Sequence, residues 1–423
     1  MLTIAIVAFG IYTYNVLKVV FAKEEITGNQ SEIPTQINEL PPITEGEEDW
    51  PNWRGPNFDG KSSLINIKKD WSNGLTKLWE VDFLCQGQST ATWSAPVVKG
   101  NRLIISGRNE TSDLVFCLNA DDGNLIWKGE YLSEASTSHG PGARATAFID
   151  SNMVYTFGRS GDLVCWSLFD GKKLWHKNVK NEGGEEPEWG LSSTPLVIDN
   201  KVIVQGGGTA LVLAYDKLNG DLIWKTLQGA AGYSASIPLI VDSMKSMLVY
   251  HGTSLSCLNP ENGSEIWKVP WETDYGVNAT TPVIDKKIIF HTSGYGKGGQ
   301  ALEVTKDNFK VLWTNTAIAS HHSDPFIIDG YLYGYSGQSI RNSGEFKCVE
   351  LKTGKEIWTT DEIGYGTATY TDGHILCLDL KGNLFLIRPA PEKFVKVAEF
   401  KNAIPEVKSL AWTAPVVAMV SFI

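Results

Sequence analysis

The stretch DDGNLIWKGE (residues 121–130) places an Asp-Gly turn before an apolar run that carries a Trp, and it returns as FDGKKLWHKN at residues 169–178. Asp-Gly between apolar runs is a hairpin signal, because Gly supplies the positive φ of a tight turn. NGDLIW (219–224), NGSEIW (262–267) and TGKEIW (353–358) repeat the pattern. Each is preceded by an apolar lead-in such as SAPVVKGNRLIISG (94–107) or STPLVIDNKVIVQG (193–206). Trp79, Trp127, Trp175, Trp224, Trp267, Trp313 and Trp358 therefore recur at steps of 48, 48, 49, 43, 46 and 45 residues. A seventh unit (367–400) has lost its Trp. Four short strands per unit at this period predict propeller blades. The expected fold is all-β: an eight-bladed-type β-propeller of four-stranded antiparallel blades over residues 49–423. The Trp set is expected on the outermost strands, filling the seams between blades.

Two ends of the repeat are irregular. Trp79, in TKLWEVD, has no strands before it to complete a blade, so it is expected to supply the outer strand of the last blade and close the ring. WTAPVVAMVSFI (412–423) opens an eighth blade whose later strands do not follow, so the last blade reads as incomplete, with exposed strand edges.

The composition is that of a folded β-protein, with 42% apolar residues, 15 Trp and 41 Gly. A formal charge of −11 opposes binding to a phosphate backbone, which excludes nucleic acid as a partner. Residues 1–22 are apolar apart from a few positions such as Asn15 and Lys18. They are read as a signal peptide, with Val20 and Ala22 at the −3 and −1 positions, or as an N-terminal membrane anchor. Residues 23–48 read as a polar linker. Either reading exports the rest of the chain to the periplasm or the exterior, with membrane contact at the N-terminus. No Cys lies close behind the apolar run, so lipid attachment is not indicated.

In a propeller, the connection from each outer strand to the next inner strand lands near the axis. The residues before the inner strands should therefore ring the central mouth. The ligand-binding candidates are Trp93, Arg144, Trp189, Tyr233, Asn278, His322, Tyr365 and Trp412, with Ser192, Ala235, Ala279 and Gly366 at equivalent places. His139, Tyr275 and His321 lie on the same connections. Aromatic rings beside Arg and His suit a sugar, a quinone or an anionic group; the same rings could also simply plug the channel.

Other motifs carry less. His321 and His322 would point opposite ways in extended chain, so no metal site is expected. EGGEEPEW (182–189) reads as a solvated acidic loop, and GYGKGGQ (294–300) as a blade loop. There is no G-x-S-x-G elbow and no P-loop, and no catalytic residue is nominated. Of the six Cys (85, 117, 165, 257, 348 and 377), four share one place in the third strand of different blades, and they are expected to be buried thiols.

The units resemble the PQQ-type propeller repeat, and residues 49–422 are similar to the PQQ-like, BamB-type propellers of exported bacterial proteins. WPNWRGPNFDG (50–60), GPGARATA (140–147), PEWG (187–190) and HHSDPFIIDGYLYGYSG (321–337) resemble a planctomycete-like exported subgroup. The resemblance implies a non-catalytic binding or interaction scaffold of the cell envelope, without a cofactor, whose partners are envelope proteins or glycans. Recognition would use loop surfaces and blade edges, the latter by strand addition. Two alternatives stay open. A PQQ-dependent oxidoreductase would need calcium beside a flat aromatic slot, although the adjacent Cys pair of many such enzymes is lacking. A carbohydrate-binding propeller would bring Trp93, Trp189 and Trp412 into one cleft.

Overall fold

The computed structural model describes residues 33, 40–44, 48–87, 90–134, 140–338, 343–405, 407, 411–418 and 421–422. The signal or anchor segment 1–22, most of the linker 23–48, and His139 lie outside the described residues. Within them, every large sheet has the same plan. In the first, Val97–Lys99, Arg102–Arg108, Ser112–Asn119 and Leu125–Leu132 pair antiparallel in chain order. Six more four-stranded sheets follow, spanning 148–178, 196–226, 237–270, 283–315, 326–360 and 366–400. Strands Val417–Ala418 and Ser421–Phe422 form a two-stranded sheet at an eighth position. The only helical turns described are the short 3-10 segments Val179–Glu182 and Asp274–Gly276. Among the described residues no helix is long and apolar enough to cross a membrane.

The repeated Trp does one mechanical job. The indole N–H of Trp127 donates to the Leu168 carbonyl at 2.9 Å, and Trp175, Trp224, Trp313 and Trp358 donate likewise to Lys217, Pro260, Leu351 and Ala390. Each acceptor belongs to the next blade, so each Trp spans a seam. The indole also lies flat where a side chain on the neighbouring turn would stand. A Cβ on Gly171 would come within 2.5 Å of the Trp127 ring, and one on Gly220, Gly263 or Gly354 would meet Trp175, Trp224 or Trp313. The Asp-Gly and Asn-Gly turns thus need Gly twice, for a φ near +70° and for the neighbour's indole. Trp267 shows the rule by exception. The next hairpin, over residues 305–308, has no Gly, the buried Trp267 indole nitrogen makes no hydrogen bond to the described residues, and its ring packs on Phe309 at 5.4 Å instead.

The same register explains the cysteines. Cys117, Cys165, Cys257 and Cys348 each sit directly across from the repeat Trp of their own blade, with a β-bulge just after the pair. In the third and fifth blades Ala214 and Ala301 take that place. A small residue is needed opposite the indole, and all four thiols are buried and unbridged. Gly171→Ala should cost about 2–3 kcal/mol, adding left-handed strain to a displaced indole. Urea denaturation of the variant checks this, and a midpoint equal to wild type would remove Trp127 from the seam.

Trp79 docks as its repeat mates do, donating to the Ala120 carbonyl at 3.1 Å and covering Gly123. The expectation of an outer strand there is corrected, because residues 62–83 carry no strand pairing. This extended segment instead contributes Trp71, Leu64, Ile67 and Leu75 to a cluster with Leu376, Leu386 and Val417, while Val416 and Ala418 pack with Trp50 and Phe83. The two-stranded sheet therefore sits between the seventh blade and the first. Part of the expected linker is also docked. Leu40 and Ile43 pack beside Trp127, Tyr131 and Trp166, and Asn101 bonds the Pro42 carbonyl at 3.1 Å.

Residues 50–62 thread across the ring. Trp50 exchanges backbone hydrogen bonds with Val98 of the first blade, and Ile149 of the second donates to the Pro51 carbonyl at 2.8 Å. Phe58 lies 6.2 Å from Phe148, and Ser62 and Gly60 bond Tyr370 of the seventh blade. This plug forms the floor of the site.

Candidate functional site: an aromatic cavity on the propeller axis

A cavity of about 220 Å³ opens on the axis, lined mainly by rings. Trp93, Arg144 and Thr146 come from the connections entering the first and second blades. Trp189, Ser192 and Thr194 enter the third, Tyr233 and Ala235 the fourth, and Val277 and Ala279 the fifth. His321 and His322 enter the sixth, Trp412 leads to the two-stranded sheet, Tyr295 comes from a hairpin of the fifth blade, and Trp53 rises from the plug.

Six of the eight nominated residues line the cavity: Trp93, Arg144, Trp189, Tyr233, His322 and Trp412. Asn278 and Tyr365 do not. Asn278 is buried between Val277 and Ala279 and turns away from the cavity, donating to the His251 and Trp271 carbonyls at 2.8 and 3.2 Å. Tyr365 is buried behind the double His, its hydroxyl accepting from the backbone N–H of His321 and His322 at 3.3 and 3.4 Å. Both shape the wall from outside. Gly366 is drawn into its strand, where a Cβ would strike the Leu378 carbonyl. Sequence reasoning missed Trp53 and Tyr295. Tyr295 stood inside a glycine-rich loop read as architecture, and Trp53 precedes the repeat that defined the mouth.

The expectation that His321 and His322 point apart is also corrected. The chain bends there, both rings face the cavity, and their centroids are 5.5 Å apart at 73°. No group of three metal-ligating side chains forms among the described residues. Burial, with a contribution from His321, pushes the His322 imidazole down to about 3, so it is neutral at physiological pH. Its Nε2 and the indole nitrogen of Trp412 are buried and make no hydrogen bond to the described residues.

The rings form a belt. Trp93 lies 6.3 Å from Trp412, Trp412 5.2 Å from His322, and His321 5.1 Å from Tyr295. Tyr295 lies 5.8 Å from Tyr275, Tyr275 5.9 Å from Trp189, and Trp189 5.8 Å from Tyr233. Arg144 closes the circuit with its guanidinium 5.2 Å from the Trp93 ring centre, a cation–π contact, and donates to the Gly140 carbonyl at 3.3 Å. Adjacent rings cross at 49° to 78°. Within the acidic run, Glu186 pairs with Arg159 at 3.2 Å and Lys180 at 3.1 Å, and Glu182 lies 3.8 Å from Lys225.

The family model described as "Outer membrane protein assembly factor BamB" matches residues 129–360. The chain belongs to this PQQ-like, BamB-type propeller family. Among curated relatives, BamB of Shewanella oneidensis is 22% identical over 284 residues, covering 60% of this chain and 66% of that protein. Tetrathionate hydrolase of Acidithiobacillus ferrooxidans is also 22% identical, over 345 residues, covering 67% of this chain and 62% of that enzyme. The chain thus spans just under two thirds of each. Among solved structures, a quinohemoprotein alcohol dehydrogenase from Comamonas testosteroni superposes with a TM-score of 0.64 at 15% identity, over 88% of this chain and 75% of that one, a likeness of fold.

The quinoprotein neighbours make PQQ with calcium the group to test against this cavity. Calcium takes six to eight oxygen ligands, with carboxylates prominent. Among the described residues, none that lines the cavity is Asp or Glu. Asp324, which lines a smaller cavity beneath, already accepts from Arg54 at 3.0 Å, Trp53 at 3.1 Å and the Thr281 N–H at 2.6 Å. Neighbouring rings are tilted and form no parallel slot for a flat quinone. The residues do not fit a calcium-bound quinone, and no redox step is derived.

Proposed function

We propose that this chain is an exported, non-catalytic binding scaffold of the cell envelope that acts by recognition at its axial cavity. The observation that carries the reading is a wall of tilted aromatic rings that, among the described residues, holds one Arg, two His and no carboxylate: groups that hold a ligand, without a paired acid and base or a nucleophile beside a base. Membership of a family described by outer-membrane protein assembly supports an envelope setting, with other envelope proteins as partners. The net charge of −11 speaks against nucleic acid.

The test is calorimetric titration of the folded chain with PQQ in the presence of Ca²⁺. No saturable heat is expected. One-to-one binding that disappears in Arg144→Ala and Trp189→Ala would overturn the reading in favour of a quinoprotein oxidoreductase. A glycan-binding version has one observation in its favour: Trp93, Trp189 and Trp412 do share one cleft.

A further inference from the structure

Two tyrosines at the rim of the cavity are held in a backbone conformation that tyrosine rarely adopts. Tyr275 has φ +60° and ψ 14° inside the turn Asp274–Gly276, and Tyr295 has φ +55°. Non-Gly residues in the left-handed region are uncommon, and such strain gathers at binding and switch sites. Glycine adjoins each of them, Gly276 and Gly296, both also at positive φ. Gly at 275 or 295 would relieve the strain, yet both positions carry a large ring. Packing does not explain Tyr275, a residue that is 70% exposed. What the two rings do share is alignment: Tyr275 stands between Trp189 and Tyr295, and Tyr295 leads to His321. They carry the aromatic belt out of the cavity and onto the rim.

We infer that Tyr275, Tyr295 and Trp189 form a stacking platform for a pyranose chain whose end enters the cavity; this rests on the binding reading above and names its ligand class. A flat aromatic ligand is best served by parallel faces, and here Trp189 and Tyr275 cross at 70°, Tyr275 and Tyr295 at 58°. A puckered sugar ring suits such walls, since its C–H faces rest on several rings while its hydroxyls reach outward to polar groups. Ser192, Thr194, Thr146 and Arg144 supply those groups among the apolar lining. An exposed ring outside the cavity adds contact only for a ligand longer than the cavity, which selects a chain over a single small molecule.

The experiment is fluorescence and calorimetric titration of the folded chain with cellotetraose, chitotetraose and tetragalacturonate, and separately with 2-naphthoate as a flat aromatic anion. At least one tetrasaccharide should bind, with Trp189→Ala abolishing binding. Tyr275→Phe should retain affinity, whereas Tyr275→Gly should weaken it at least tenfold while raising the thermal midpoint, because the strain is gone. That opposite movement separates a ligand platform from a structural residue. Tetrasaccharide affinity unchanged in Tyr275→Gly would overturn the platform. Binding of 2-naphthoate, lost in Trp189→Ala, with no tetrasaccharide bound would overturn the sugar inference and leave the binding cavity standing. No binding by any of the four probes would overturn both.

Discussion

Arg54→Ala is expected to lower the stability of the propeller by about 3–5 kcal/mol, the usual cost of removing one partner of a buried ion pair. Arg54 and Asp324 meet at 3.0 Å with side chains only 5% exposed on both sides. The guanidinium also donates to the Asp59 and Pro325 carbonyls at 2.7 and 3.2 Å and lies 5.4 Å from the Phe326 ring centre. Without it, Asp324 keeps Trp53 and the Thr281 N–H as its partners among the described residues, too few for a buried charge. The loss should be larger than that of an ordinary surface pair, worth about 0–1 kcal/mol, because Arg54 fastens the plug to the sixth blade from inside the ring. Urea denaturation measures it. The double variant Arg54→Met with Asp324→Asn should recover at least ~1 kcal/mol of the loss, since it removes the stranded charge. A single variant within about 0.5 kcal/mol of wild type would mean that the plug is held by its backbone pairing alone. Because Trp53 is both the floor of the cavity and a donor to Asp324, Arg54→Ala should also weaken any ligand of the cavity, although Arg54 does not line it.

How far the site was legible in the sequence depends on the same contrast between repeat and plug. The blades announce themselves because seven Trp at a near-constant step leave few other folds, and the mouth follows because a closed ring brings equivalent positions together. That reasoning locates a connection but not which of its residues faces inward. At the fifth blade it pointed to Ala279 and favoured its neighbour Asn278 as the ligand contact, whereas Val277 and Ala279 face the cavity and Asn278, between them, faces away. The alternation argument then failed in the other direction at His321 and His322, where a bend turns both rings to one side. Tyr365 was placed one shell too far in, for it holds the bend from behind. Trp53 was out of reach of any periodic argument, because the plug occurs once. Its role depends on contacts with residues more than two hundred positions away, Thr281 and Asp324. The cysteines show the reverse case, where position in the repeat was evident but its cause, a small residue facing an indole at a bulge, came only with the register.

A steep loss of stability in mild acid is the second large effect expected. His251 and His291 lie on the second strands of the fourth and fifth blades, 5% and 1% exposed. Burial pushes both imidazoles down to about 4, with Lys268 adding to the effect at His251 and a hydrogen bond to Gln300 opposing it at His291. Their surroundings suit the neutral ring: His251 meets the Ser256 hydroxyl at 3.2 Å, and His291 meets Tyr250 at 3.3 Å and lies edge-on to Trp271 at 4.7 Å. Since the folded values lie below the unfolded value near 6.5, the unfolded chain binds more protons between them. The stabilisation is therefore complete above about pH 6.5 and is lost as the pH falls towards about 4. Two protons taken up on unfolding by these rings give a slope of at most ~2.7 kcal/mol per pH unit mid-window, and His322 of the cavity, also held low by burial, adds up to about half as much again. For His251 and His291 together the loss accumulates to about 4 kcal/mol between roughly pH 6.5 and pH 4.5, and His322 adds about 2 more, which is comparable with the whole stability of many domains. Urea midpoints measured across this range should fall steeply. His291→Gln should remove about one proton from the slope at some cost in stability at neutral pH, which distinguishes titration of that ring from general acid swelling. Midpoints that stay level between about pH 7 and pH 5 would mean that His251 and His291 are reached by water and protonate in the folded ring, with the fourth and fifth blades more open than their packing shows.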